Sequence, residues 1–272
     1  MDNTWLYIKS GKQDAFYNMA LDELLMNKVR RGDIPPVIRL YEWETPTLSI
    51  GYFQKLEKEI DIPKVKEYGY QLVRRKTGGR GVLHDKELTY SLVLPEDYKD
   101  IPKSVTESYR ILSEGIKEGF NNLGLDAHFS IPDKEKRREE RSSVCFDTPS
   151  WYELVVEGRK IAGSAQTRSD GVIMQHGSIL LDVDIDHLFD MFKFTNERFK
   201  NKMKSTFLEK AVAINDISDK TITIDDMYIA FKKGFEDGLD VNTVGYELTE
   251  TDYKELESLI AKYASKEWNY KR

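Results

Sequence analysis

Apolar side chains in DAFYNMALDELLMNKVRRG recur near helical spacing, at Ala15, Met19, Leu21, Leu24, Leu25 and Val29. The spacing predicts a core-facing helix capped by Asp14 and stopped by Gly32. Shorter apolar runs bounded by turn residues read as strands: TWLYIKS, VIRLYEW, TLSIG, YQLVRR, LTYSLVLP and DAHFSI. IPKVKEYG predicts a short helix. SVTESYRILSEGIKEGFNNLG predicts a long amphipathic one, capped by Ser104 and closed at Gly124. Past residue 150, WYELVVE, RKIAGSAQTR and VIMQHGSILLDV predict three strands turning at Glu157-Gly158 and Asp170-Gly171. IDHLFDMF, IDDMYIAFKKGFEDGL and TETDYKELESLIAKYAS predict helices. Hairpins mixed with helices imply an α+β fold with a mixed, largely antiparallel sheet. No repeat or linker interrupts the chain, so residues 1–272 read as one domain, mostly helical from about 205.

One stretch stands apart. Residues 132–150 are charged and irregular, and PDKEKRREERSS has no apolar residue after its proline. Such a segment cannot bury itself to offset its ordering entropy, which predicts a mobile loop. The chain's one cysteine, Cys145, falls there, in SSVCFDTPS. A single cysteine excludes an internal disulfide and points to a reducing compartment. The net charge of −6 argues against general nucleic-acid binding. No apolar run approaches the ~20 residues of a membrane span. The opening MDNTWLYIKSGKQD lacks the basic-then-apolar pattern of a signal peptide, so the expected setting is the cytoplasm.

Three stretches could carry chemistry. RRKTGGRGVLHDKELTYS places Gly78 and Gly79 between strands, where the backbone can approach a ligand closely, with Arg74, Arg75, Lys76 and Arg80 around them. It fits neither a P-loop nor a dinucleotide fingerprint. Either it is a basic β-turn, or its backbone N–H groups cradle an acyl carbonyl or an anion. His84 in the same stretch could serve acid–base chemistry or simply bond within the loop. In EGRKIAGSAQTR, Lys160 follows a tight turn and precedes the small residues Ala162, Gly163, Ser164 and Ala165. It is either a solvated hairpin lysine or a cation directed into the space those residues leave. Cys145 is either an incidental thiol or a nucleophile activated by the nearby Arg137, Arg138 and Arg141. The four histidines make no metal-ligand cluster with it, so no metal is assigned.

Together these motifs resemble the biotin/lipoate protein ligase superfamily, on its lipoyl and octanoyl transferase branch. RRKTGGRGVLHDKELTYS is similar to the superfamily's acyl-binding signature. SSVCFDTPSWYELVVEGRKIAGSAQTR and VIMQHGSILLDVD are similar to its octanoyltransferases of Gram-positive bacteria. The likeness runs from TWLYI to YASKEWNYKR. It implies a ligase-like α+β catalytic domain that takes octanoate from acyl carrier protein. The acceptor would be a lysine of the glycine cleavage H protein or another lipoyl domain, without ATP, metal or cofactor. It implies Cys145 as the acyl-thioester nucleophile and Lys160 as the residue that polarises the carbonyl or moves the proton. Arg75, Gly78, Gly79, Arg80, His84, Ala162 and Gly163 would bind substrate. A monomer is expected, with neither nucleic-acid nor membrane partners. An octanoyl tail offers about seven apolar carbons, worth on the order of 5 kcal/mol when buried. The alternatives are an ATP-dependent lipoate–protein ligase, an amidotransferase between lipoyl domains, and a binding module that has kept the fold. Because both protein partners implied by the likeness are acidic, Arg74, Arg75, Lys76 and Arg80, with Lys134, Lys136, Arg137, Arg138 and Arg141, are the expected positive docking face.

Overall fold

A computed structural model describes residues 3–130 and 152–271. The cysteine stretch, its loop and the cations at 134–141 therefore lie outside the described residues. Strand β1 (Thr4–Gln13) leads into helix α1 (Ala15–Arg31), then β2 (Val37–Trp43) and β3 (Thr47–Ile50). Short helices α2 (Leu56–Glu59) and α3 (Ile62–Glu67) precede β4 (Gln71–Arg74), β5 (Val82–His84) and β6 (Glu87–Pro95). Helix α4 (Val105–Asn122) and β7 (His128–Ser130) follow. The second stretch begins with β8 (Glu153–Val156), β9 (Arg159–Lys160), β10 (Ala162–Ser169) and β11 (Val172–Leu180). It ends with α5 (Ile185–Asp190), α6 (Glu197–Lys210), α7 (Ile224–Leu239), β12 (Asn242–Gly245), α8 (Glu250–Ala264) and α9 (Lys266–Asn269).

Local chemistry accounts for many of these boundaries. The Asp14 carboxylate accepts from the N–H groups of Phe16 and Tyr17 at the start of α1, and Gly32 ends that helix with φ 73°. Both hairpin turns have two residues at positive φ: Glu157 and Gly158 at 51° and 75°, Asp170 and Gly171 at 53° and 77°. That is the backbone whose twist matches the flanking strands.

The strands form a six-stranded sheet in the order β10-β11-β6-β2-β1-β12 and two three-stranded sheets, β4-β3-β5 and β7-β8-β9. Pairing is mixed, with β1 parallel to both β2 and β12 and β3 parallel to β4, and the other pairs antiparallel. Helices α4 and α7 cover one face of the large sheet with Leu112, Ile116, Phe120, Phe231 and Phe235. Their backbones nearly touch: a Cβ on Gly234 would lie 2.3 Å from the Gly119 nitrogen. Helices α1 and α8 cover the other face. A third apolar cluster joins the β4-β3-β5 sheet to α5 and α6 through Leu48, Ile50, Phe189 and Phe207.

Two departures from the sequence reading matter for the site. RKIAGSAQTR is not one strand. It breaks at Ile161, so that β9 belongs to the β7-β8-β9 sheet and β10 to the large one. The chain past 205 is not only helical either. It sends β12 beside β1, in register from Thr4↔Asn242 to Tyr7↔Gly245.

Candidate active site

A pocket with about 430 Å³ of free space, open solvent at its mouth included, lies between the β4-β3-β5 sheet and the large sheet. Ser49, Arg75, Gly79, Val82 and His84 wall one side, and Gly163, Ser164, Ala165, His176, Gly177 and Ser178 the other. Met19, Tyr41 and Trp43 contribute apolar surface. The cavity thus gathers the expected Arg75, Gly79, His84 and Gly163. Gly78 and Arg80 flank it in the same turn. Ala162 packs into the main core instead.

Arg75 is only 5 % exposed and organises the glycine turn from within. Its Nη2 donates to the carbonyls of Gly78 (2.8 Å) and Arg80 (2.7 Å). Its Nη1 donates to the carbonyl and hydroxyl of Ser49 (3.1 and 3.2 Å), and its Nε to Thr77 Oγ1 (3.2 Å). Five N–H donors therefore meet five acceptors in the fold. In a trans peptide the N–H points opposite to the preceding carbonyl. The Gly79 N–H therefore points away from the guanidinium. Glycine is needed here: Gly79 has φ 91°, and a Cβ on the facing Gly51 would sit 2.1 Å from the Gly79 oxygen.

These contacts correct the expected docking face. Arg74 is fully buried, spending its side chain on the carbonyls of Gly51, Tyr52, Gln54 and Asn269. Lys76 pairs with Glu23 at 3.0 Å. Of the four cations in the turn, Arg74 and Arg75 are structural, because buried carbonyls need donors and these guanidinium groups supply them.

Two histidines stand in the cavity wall. His84 Nε2 shares a 2.8 Å hydrogen bond with Ser49 Oγ, and its Nδ1 a 3.0 Å one with Glu87 Oε1. Its ring stacks on Trp43, centroids 4.2 Å apart. Trp43 in turn donates to Thr89, which donates to the same Glu87 oxygen. His84 thus bonds within the wall, and its place in the cavity brings it beside any occupant. His176 shares a 2.6 Å hydrogen bond with Thr77 Oγ1 and stands 3.6 Å from Asp22 Oδ2. Burial lowers the His176 pKa below its ordinary 6.5, overcoming the upward pull of Asp22. Burial works to raise Asp22, but the Arg39 guanidinium, 2.7 Å away, and His176 outweigh it and hold the carboxyl below its usual range.

This has a consequence for stability. The folded chain keeps His176 neutral where the unfolded chain, near pH 6.5 and below, takes up a proton. Stability should therefore fall as the pH drops below 6.5, by up to about 1.4 kcal/mol per pH unit, until His176 itself titrates in the folded state. Urea unfolding at pH 7, 6 and 5 measures the slope. His176→Gln should flatten it, and an unchanged slope in that variant would assign the effect elsewhere.

Lys160 stands at the break between β9 and β10, three residues before Gly163. It is 8 % exposed, so it is not a solvated hairpin lysine. Its Nζ meets Glu153 Oε1 at 2.8 Å across the β8–β9 hairpin. Sequence reasoning did not identify Glu153, Ser49, Thr77, Trp43 or His176 as site residues. For His176 the available signal was a histidine in the mostly small and apolar strand VIMQHGSILL. Among the described residues, no group of three or more His, Cys, Asp or Glu could hold a metal ion, and no helix is long and apolar enough to cross a membrane.

The family model of the lipoyl protein ligase A/B catalytic domain matches residues 14–236. The chain is 61 % identical to Octanoyltransferase LipM of Staphylococcus aureus, covering 100 % of both chains. It is 56 % identical to Octanoyltransferase LipM of Bacillus subtilis, covering 99 % of both. Among solved structures it resembles the bipartite lipoate protein ligase of Thermoplasma acidophilum, studied with its E2 lipoyl domain. That match has a TM-score of 0.81 and 26 % identity over 98 % of this chain and 96 % of that one. A lipoate-protein ligase A bound with ATP matches with a TM-score of 0.77 and 26 % identity over 99 % of each chain. With the family model and the full-length identity in agreement, the chain belongs to the lipoyl protein ligase A/B catalytic-domain family, as an acyltransferase among its LipM octanoyltransferases.

Proposed function

We propose that the chain takes an octanoyl group from octanoyl-acyl carrier protein onto Cys145 and passes it to the lipoyl-accepting lysine of the glycine cleavage H protein, the first step of lipoate biosynthesis. Full-length identity to octanoyltransferases carries the reading. The site chemistry supports it. The Cys145 thiolate attacks the thioester carbonyl, and the carrier thiolate leaves and takes a proton. One thioester replaces another, so the first transfer costs little. The acceptor amine then attacks the enzyme thioester, loses a proton and forms an amide, releasing the Cys145 thiolate. This second step runs downhill without ATP.

Three features of the described residues fit that scheme. Lys160, held by Glu153, polarises the carbonyl and supplies the proton to the departing thiolate. The Gly79 N–H, turned away from Arg75, is the candidate donor to the developing oxyanion. The apolar surface of Met19, Tyr41, Trp43 and Val82 receives the octanoyl tail.

Intact mass after mixing with octanoyl-acyl carrier protein, without ATP, tests the scheme. A single octanoyl adduct is expected, sensitive to hydroxylamine and missing from Cys145→Ala. An adduct of unchanged yield in Cys145→Ala would sink the thioester. Acyl transfer that appears only with free acid and ATP would instead favour an adenylating ligase.

A further inference from the structure

We propose that helix α9 is a positioning element of the acyl site, acting on the glycine turn through Asn269 and Arg74. The proposal rests on the acyl-transfer reading above. Arg74 ends the edge strand β4, whose outer backbone groups would otherwise lack partners. Helix α9 supplies them. Asn269 Oδ1 accepts from the Arg74 N–H at 2.7 Å, and Trp268 Nε1 donates to the Arg74 carbonyl at 2.7 Å. The Asn269 carbonyl accepts from Arg74 Nε (3.2 Å) and Nη2 (2.9 Å). The Asn269 side chain is itself fixed, its Nδ2 donating to the carbonyls of Tyr263 (2.7 Å) and Ser265 (3.0 Å).

From Arg74 the link continues to the site. Its Nη1 donates to the carbonyls of Gly51 (2.9 Å), Tyr52 (3.1 Å) and Gln54 (2.8 Å). That segment is tied to the glycine turn: the Tyr52 N–H donates to the Thr77 carbonyl at 2.8 Å, and Gly51 packs directly against Gly79. The Tyr52 ring also meets the Trp268 ring edge-on at 6.0 Å. A second brace runs from α8, where Lys262 holds Glu23 at 2.6 Å while Glu23 holds Lys76 at 3.0 Å. Residues 74–76 are thus held from the C-terminal helices on both sides of the backbone. Oxyanion donors act only when aimed within a fraction of an ångström, and misplacement by ~1 Å can cost ~10²-fold in rate. No residue of α9 lines the cavity, so its effect on the site is indirect, through the Arg74 bonds and the Tyr52 ring.

The test compares Asn269→Ala, Asn269→Asp and Lys28→Met in the full chain. Lys28 pairs with Asp252 in docking the same C-terminal segment on α1, away from the glycine turn. Asn269→Ala should lower kcat for a small octanoyl thioester by about 10–100-fold with KM little changed. Amide exchange at Tyr52 should rise at the same time. Asn269→Asp keeps an acceptor for the Arg74 N–H but turns a carboxylate oxygen toward the Tyr263 and Ser265 carbonyls, so it should recover part of the rate. Lys28→Met should lower stability and leave both readouts near the parent. Unaltered Tyr52 exchange in Asn269→Ala, or an equal kcat loss in Lys28→Met, would overturn the proposal. Should Asn269→Ala fail to fold, Trp268→Phe, which removes the bond to the Arg74 carbonyl and trims the ring that meets Tyr52, carries the same two readouts. If the unmodified chain transfers no octanoyl group while exchange behaves as expected, the functional reading fails and the clamp stands.

Discussion

Lys160→Ala is expected to lower acyl transfer by about 10²–10⁴-fold, the range typical of a positioned proton donor. It should also lower stability, because Lys160 and Glu153 have side chains only 9 % and 15 % exposed and the change strips Glu153 of a cation. Removing one partner of a buried pair costs about 3–5 kcal/mol, so a drop in Tm on the order of 10 °C should accompany the lost rate. Two further variants separate these effects. Lys160→Met with Glu153→Gln removes both charges and should regain most of the stability without regaining transfer. Lys160→Arg keeps a cation beside Glu153 but holds its proton too tightly to pass it on, and should stay well below the parent rate. Rates and Tm for the set decide the matter. Near-normal turnover in the stabilised double variant would leave Lys160 a structural residue.

Arg75→Lys should cost about 10²-fold in transfer, equally for octanoyl-acyl carrier protein and a small octanoyl thioester, and equally at low and high salt. Five acceptors surround the guanidinium: the carbonyls of Ser49, Gly78 and Arg80 and the hydroxyls of Ser49 and Thr77. A lysine brings three donors on one nitrogen and cannot span them. The Gly78 and Arg80 carbonyls would lose their partner, and the turn would lose its set. The expected salt independence follows from burial, since ions screen exposed charges far more than enclosed ones. A loss confined to the carrier-bound donor and erased by salt would return Arg75 to a docking role. Measuring kcat and KM for both donors at two ionic strengths distinguishes the two.

Much of the fold was legible because local signals were strong. Helix α1 has its Asp14 cap and Gly32 stop, and α7 spans IDDMYIAFKKGFEDGL as its periodicity predicts. The two hairpins sit at the Glu-Gly and Asp-Gly pairs that demand positive φ. What escaped notice was mostly short or non-local, with one exception: α6, fourteen residues of ERFKNKMKSTFLEK, buries only Met203 and Phe207 and so shows no long apolar stripe. Strand β12 has four residues, mostly exposed, and owes its conformation to a parallel partner far away in sequence. Strand β5 is three residues at the end of a glycine turn, long enough to pair with β3 and too short for a period. The fate of the arginines was hidden for another reason. A charged side chain reads as solvated unless the carbonyls that will surround it are known, and those around Arg74 come from residues 51–54 and 269. The glycine turn could be singled out because few residue types suit such a place, whereas the residues alone left Lys160 open and only the family resemblance gave it a role. The histidine contacts behind them depend on strand register, and no single segment encodes that.

The order of the chain also bears on its synthesis. Half the strands of the large sheet, β1, β2 and β6, lie in the first hundred residues, with β10, β11 and β12 joining later, yet α7, which helps cover one apolar face, ends at Leu239. Ribosomes add about 5–20 residues per second, so β6 leaves the ribosome on the order of ten seconds before α7 does. Through that interval Leu40, Leu92 and Leu94 have only α4 available from the pair that will enclose them. Until then the nascent chain carries a half-covered apolar face, and the last quarter of the polypeptide is what completes its cover.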